Sequence, residues 1–171
     1  MSTVEEDVIE TFQSEHREVR DTLLALSDAI EANDTERAHE LVQQVNAHAG
    51  LHFQYEEDAL YPALVSFFGQ QKVKELVEEH DEAIEAARTL DELTRQDSLA
   101  EADKQEALQA QPTLMIHVSD CDGLTVYLER ADETVFETIK QSMEKAHDQE
   151  LTLTEYAETV RPSAEEIVAG T

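Results

Sequence analysis

The chain has 171 residues, 40% of them apolar, which suits one domain around one well-filled core. Forty acidic residues against twelve basic ones give a formal charge of -28, and no Lys/Arg cluster interrupts it. That excludes duplex DNA, RNA and an anionic membrane surface as partners. Four glycines and three prolines are too few to turn a many-stranded β protein, so long helices are expected.

A capping box, Thr3-x-x-Glu6, opens the first predicted helix, whose apolar stripe runs Val8, Phe12, Val19, Leu23, Leu26, Ile30. Asn33-Asp34-Thr35 ends it and caps the second, which carries Leu41, Val45, Tyr55, Ala59 and Ala63 and stops near Phe68-Gly69. A third stripe is Val73, Leu76, Ile84, Ala87, Leu90. Ser98-x-x-Glu101 is a further capping box before a fourth segment with Leu108, Leu114, Leu124 and Leu128. Pro112 lies inside that segment and is expected to kink it or split off its first turns. A fifth stripe (Val135, Phe136, Ile139, Met143) and a tail with Ser163-x-x-Glu166 follow. Short connections favour antiparallel neighbours, so the expected fold is all-α, an up-down-up-down four-helix bundle over residues 1–130 with a C-terminal helical extension, 131–171, packed on it.

The charge suits a salt-rich cytoplasm, since self-repulsion at this level needs screening. No D-x-[DN]-x-[DN]-G loop is present to support calcium binding instead. The single Cys121 forms no intramolecular disulfide, the N-terminus lacks the features of a signal peptide, and no apolar run approaches the ~20 residues of a membrane span. The expectation is a cytoplasmic, soluble protein.

Histidines occupy core slots in all four stripes. The first reads Phe12, His16, Val19; the second Val45, His48, His52, Glu56, Ala59; the third Leu76, His80, Ile84; the fourth Leu114, His117, Cys121, Leu124. One buried histidine is commonly a hydrogen-bonded core residue. Four in one layer would each need a partner in a low-dielectric interior, and shared protonation would be repulsive, whereas one bound cation satisfies them together. His52 and Glu56, four apart, offer an imidazole and a carboxylate from one helix face, a set that suits iron better than cysteine-rich structural zinc. Glu36-x-x-His39 and Glu144-x-x-His147 match the ferritin-type Glu-x-x-His pattern but lie among charged residues, off the stripes. No nucleophile elbow, P-loop or dinucleotide fingerprint occurs.

HFQYEEDALYP, residues 52–62, resembles the His-x-x-x-Glu-Glu-x-x-Leu-Tyr/Phe-Pro signature of the hemerythrin-like (HHE cation-binding) family. SEHREVRDTLLAL around His16 and VEEHDEAI around His80 resemble its first and third helices, and the likeness spans roughly residues 8–130. It implies a four-helix bundle holding two irons, oxo- or hydroxo-bridged, with His16 and His52 on one, His80 and His117 on the other, and Glu56 bridging. The second bridging carboxylate is where the sequence departs: many members repeat His-x-x-x-Glu, but the residue four past His117 is Cys121. Asp122 matches the His-x-x-x-x-Asp spacing of oxygen-carrying hemerythrins, provided the helix is loosened there, which Gly123 would ease. Cys121 as thiolate ligand is the alternative. Oxygen carriers also add a histidine one turn from the position of His80; here Leu76 and Ile84 stand there. The family resemblance implies binding or sensing of dioxygen, nitric oxide or peroxide. The alternative is an enzyme or iron-handling protein, turning over peroxide or repairing iron–sulfur clusters, and a metal-free bundle is the third option.

Overall fold

The computed structural model describes residues 3–169, and every regular element among them is helical. They are α1 (Thr3–Glu31), α2 (Thr35–Tyr55), α3 (Tyr61–Thr94), α4 (Glu101–Asp122), α5 (Thr125–Leu128), α6 (Glu133–Gln149), α7 (Leu153–Thr159) and α8 (Ala164–Ala169). A turn of π-helix, Glu56–Leu60, carries α2 into α3. The four long stretches form a ring: α1 packs on α2 and α4, and α3 packs on the same two.

Most of the stripe residues are buried, with Ala63, Leu108 and Val135 half-buried. Val8, Phe12, Val19, Leu23, Leu26 and Ile30 of α1 are all in the core, as are Val73, Leu76, Ile84, Ala87 and Leu90 of α3. The core falls into two apolar clusters. One gathers Leu23, Leu26, Leu41, Val45, Leu90 and Leu114; the other Phe12, Tyr61, Leu64, Val73, Leu128 and Ile139. His16, His52, His80 and His117 lie in sequence at the borders between them, so a polar layer divides the apolar interior.

Local signals decide the boundaries. Asp34 caps α2, its carboxylate accepting from Arg37 N at 3.1 Å. Gly69, at φ 80 and ψ 162, breaks α3 between an upper piece, 61–68, and the long run from 70; only glycine adopts that backbone without strain. One expectation fails, and of the two offered for Pro112 the split does not occur. Ser98 does not cap α4, whose N-cap is Ala100 with no side-chain bond. Nor does Pro112 split α4, which runs unbroken through it: the ring lies exposed, on the side where a lost backbone bond is left to water. The π turn sits just before Pro62, which has no N–H to give Asp58 and whose ring would crowd the carbonyl there in a regular helix. The wide turn relieves that crowding, closing through Tyr61 N to Glu56 O.

The chain after α5 folds back on the bundle: α6 packs on α1, α2 and the π turn, α7 on α2 and α8 on α3. Two capping boxes, Thr152 with Glu155 and Ser163 with Glu166, fix the short helices. Backbone meets backbone at Gly50, where a Cβ would strike Leu151 O, Thr152 C and Leu153 N. Gly50→Ala should therefore push the 151–153 segment off α2, costing about 1–3 kcal/mol as an overpacked site does. Gly123→Ala, whose Cβ would stand 3.4 Å from Asp120 O in a helical backbone, should be near neutral. Thermal unfolding of the two variants checks the contrast, and equal melting temperatures would show that the close approach carries no weight.

Candidate metal centre

Four helices deliver the site. His16 comes from α1, His52 from α2, Glu56 from the first position of the π turn, His80 from α3, and His117 with Cys121 from α4, and all six are buried. The rings form two pairs. His16 and His52 have centroids 4.3 Å apart, and His80 and His117 have centroids 4.6 Å apart. Glu56 lies between the pairs, one oxygen 3.2 Å from His52 Nε2, the other 3.1 Å from His80 Nε2 and 3.9 Å from His117 Nε2. Among the described residues, two groups of donor atoms are close enough to share a cation: His16, His52 and Glu56, and Glu56, His117 and Cys121.

Apolar rings hold these side chains. Phe53 stacks on His80 at 3.8 Å and meets His117 edge-on, and Phe12 is edge-on to His16. Beside them is a cavity of about 20 Å³ lined by His16, His52 and His117 with Val19, Val45, Ala49, Phe53, Leu114 and Val118, room for about one water-sized molecule.

Three of the histidines are held from behind by a carboxylate. His16 Nδ1 donates to Asp122 at 2.6 Å, and Arg20 pairs with the same carboxylate. His52 Nδ1 donates to Glu15 at 2.9 Å, and Tyr55 OH donates to Glu15 at 2.6 Å. His80 Nδ1 donates to Glu57 at 2.7 Å. Each arrangement leaves Nε2 facing inward, the disposition that orients a ligating imidazole. His117 has only Cys121 Sγ within reach of its ring nitrogens, 3.6 Å at the nearest.

Of the residues expected from sequence, His16, His52, Glu56, His80 and His117 are brought together, and Asp122 meets the group through the outer nitrogen of His16. α4 is regular to its end at Asp122, so it turns Cys121 inward, one turn beyond His117, and Asp122 toward Arg20; the π turn lies at Glu56, not here. His48 is half-buried beside Glu18, and His39 lies against Thr94, both apart from the centre. Glu15, Tyr61 and Arg161 escaped the sequence reading: nothing separates a buried acid from a solvated one in so acidic a chain, and Arg161 reaches Glu57 from 104 residues away. Position was the one signal for the first two: Glu15 precedes His16, and Tyr61 belongs to the signature.

Charge explains why the site is suited to a cation. Burial pushes the Glu56 pKa up, but His52 and His80 outweigh it and hold the carboxyl well below its ordinary range. Burial likewise disfavours His52 charge, yet Glu56 and Glu15 raise its pKa to about 9. Burial, reinforced by His80, lowers His117 to about 3, and burial raises the Cys121 thiol well above its usual value, helped by Glu56. Meanwhile His16 Nε2 is buried without a hydrogen-bond partner, and His52 Nε2 and Glu56 Oε1 face only each other, 3.2 Å apart as an ion pair. An unpartnered buried nitrogen is costly, and three donor groups converging on one spot fit a cation.

An all-helical fold with imidazole and carboxylate donors converging in its core defines a metal-binding bundle. The model of the hemerythrin HHE cation binding domain matches residues 7–122, and the chain belongs to that family. Comparisons with curated proteins and with solved structures give no match.

Without metal, the raised His52 pKa has a definite sign. The folded value of about 9 exceeds the ordinary 6.5, so its stabilisation is fully present below about pH 6.5 and is lost as pH rises through about 9. A metal held by His52 would have to displace that proton, so affinity should then rise with pH across the same window. Melting of the metal-free chain against pH, and calorimetry in buffers of different ionisation enthalpy, check both signs. Binding without proton release would mean that His52 is not displaced.

Proposed function

We propose that the chain is a hemerythrin-type di-iron protein that binds or senses dioxygen, nitric oxide or peroxide. The observation carrying this reading is the convergence of three buried donor groups, His16, His52 and Glu56, whose inward atoms have no hydrogen bond outside the group, beside a small apolar cavity. His16 and His52 would hold one iron and His80 and His117 the other, with Glu56 common to both; the two ring pairs flanking Glu56 support that division. When bound, iron of this type supplies reversible binding of, or electron transfer to, a small oxidant. The residues do the remainder. Phe53, Val19, Val45 and Leu114 keep bulk water out, and the cavity admits one small molecule. Tyr61 OH, 2.8 Å from His80 Nε2 and 3.7 Å from Cys121 Sγ, places a proton donor at the inner face. No helix among the described residues is long and apolar enough to cross a membrane.

Cys121 favours a second reading, an enzyme or iron-handling protein, for example in peroxide turnover or iron–sulfur cluster repair. A thiol stands where a bridging carboxylate was expected, in one group with Glu56 and His117, and thiols are oxidisable. We read Asp122 as orienting His16 rather than entering the ligand set, on the 2.6 Å contact. We also read the ring of long helices as an up-down-up-down bundle to about residue 130 with 131–171 as a docked extension, and the charge as adaptation to a salt-rich cytoplasm.

Anaerobic loading with ferrous iron, metal analysis and spectroscopy before and after oxygen test this. Two irons per chain and a reversible change on oxygenation are expected, with iron lost in His52→Ala; irreversible oxidation with peroxide consumption would favour the enzyme. Asp122→Ala should weaken iron binding about 10–100-fold while leaving the stoichiometry, the usual effect of losing a group behind a ligand. A stoichiometry halved by Asp122→Ala would make it a ligand itself. A melting temperature that does not rise with salt would remove the salt-adaptation reading.

A further inference from the structure

The family match ends at residue 122, yet the chain that follows returns to the centre. It packs on α1, α2 and α3, and several of its hydrogen bonds go to the acidic π turn. Glu57, fully buried, takes bonds from two residues of the returning segment: Tyr156 OH at 2.8 Å, and the Arg161 guanidinium, with Nε 3.1 and 3.0 Å from the two oxygens and a terminal nitrogen at 2.9 Å. The same guanidinium reaches Asp81, next to His80, and Val77 O, one turn before it. The adjoining Asp58 accepts from Ser142 at 2.8 Å. On the other side, His147 Nε2 is 3.2 Å from Glu15, the carboxylate behind His52.

Glu57 needs this support. A carboxylate buried without cationic or hydroxyl donors would be strongly unfavourable, and would be free to turn its charge toward the metal or draw a proton. The forked, bidentate guanidinium fixes the carboxylate plane as a single ammonium does not. With both oxygens so engaged, Oε1 stays 2.7 Å from His80 Nδ1, which leaves Nε2 aimed inward. Helix α7 sets Tyr156 on its buried face, and its capping box fixes where the helix begins.

We propose that the segment beyond the family domain is a working part of the metal centre: Arg161 and Tyr156 are positioning residues that lock Glu57, and through it His80. This rests on His80 being a ligand, the reading given above. The segment is then not a passive brace, because its grip sets the direction and basicity of a ligand nitrogen it never touches.

The test is anaerobic titration of the full chain with cobalt(II), whose visible bands report ligand geometry, together with melting of the metal-free protein. Arg161→Ala should weaken cobalt binding about 10–100-fold and shift the bands. Tyr156→Phe should move both less, and Arg161→Lys should recover part of the loss. Lys74→Ala, which removes the exposed pair between α3 and Glu165 of α8, should leave affinity and spectrum alone. A lower melting temperature in Arg161→Ala with unchanged affinity and bands would make the segment a brace only and overturn the proposal. Should Arg161→Ala not fold, unchanged binding in both Arg161→Lys and Tyr156→Phe overturns it equally. A wild-type chain that binds no cobalt defeats the ligand reading first, and is distinguishable because it precedes any variant.

Discussion

The structure depends on burying the charge of Glu56. A fully buried carboxylate is tolerated only where opposite charge or strong donors surround it, and here His52 and His80 approach it from two sides. Four helices must therefore meet at one height, since each supplies one ring and none can slide without leaving the carboxylate exposed to an apolar wall. The two apolar clusters above and below are the consequence. They supply the favourable burial, while the polar layer between them fixes which helix positions face one another.

That layer was legible in the sequence because it breaks a period. His16, His52, His80 and His117 each fall where the helical repeat demands an apolar side chain, so their burial could be read from spacing alone. The carboxylates behind them were legible only in part. Glu57 stands in the signature and Asp122 was singled out as a ligand, but neither was placed behind a histidine, and Glu15 is one among forty acidic residues that local sequence does not distinguish. Their placement is a tertiary fact: Glu15 depends on α2 and α6, and Glu57 on a chain segment about a hundred residues away. The π turn was equally hidden, because it lets consecutive residues, Glu56 and Glu57, both point inward, which no regular helical repeat anticipates.

Helix punctuation shows the same division. Asp34 caps α2 as read, since an Asx cap needs only its own next turn. Ser98 looks equivalent and does not cap, because α4 starts at Glu101 and leaves it two positions too early. Thr152 with Glu155 forms a full capping box that the fading apolar pattern of the tail gave no reason to seek. Pro112 misled for another reason. A proline's cost depends on which face of the helix it occupies, and on an exposed face the freed carbonyl is hydrated. The amphipathic stripe of α6 declared that it would pack, but only the fold shows that it packs against the π turn.

The departure at Cys121 gains meaning from this outer arrangement. With a buried thiol four residues past His117, Glu56 is the one carboxylate inside the layer that faces both ring pairs. A thiol with a raised pKa brings no charge, so the inner layer carries less negative charge than a centre with two bridging carboxylates would. Glu15, Glu57 and Asp122 stand one ring further out, each against an outer histidine nitrogen and each steadied by a side chain of its own: His147, Arg161 and Arg20. Charge held across an imidazole acts at longer range than a direct ligand, yet in a low-dielectric interior that distance weakens it only modestly. On the proposed reading of these histidines as ligands, the deficit left by the second carboxylate would be offset through them, and the basicity of their inner nitrogens, more than the number of charged ligands, would be the quantity this sequence adjusts.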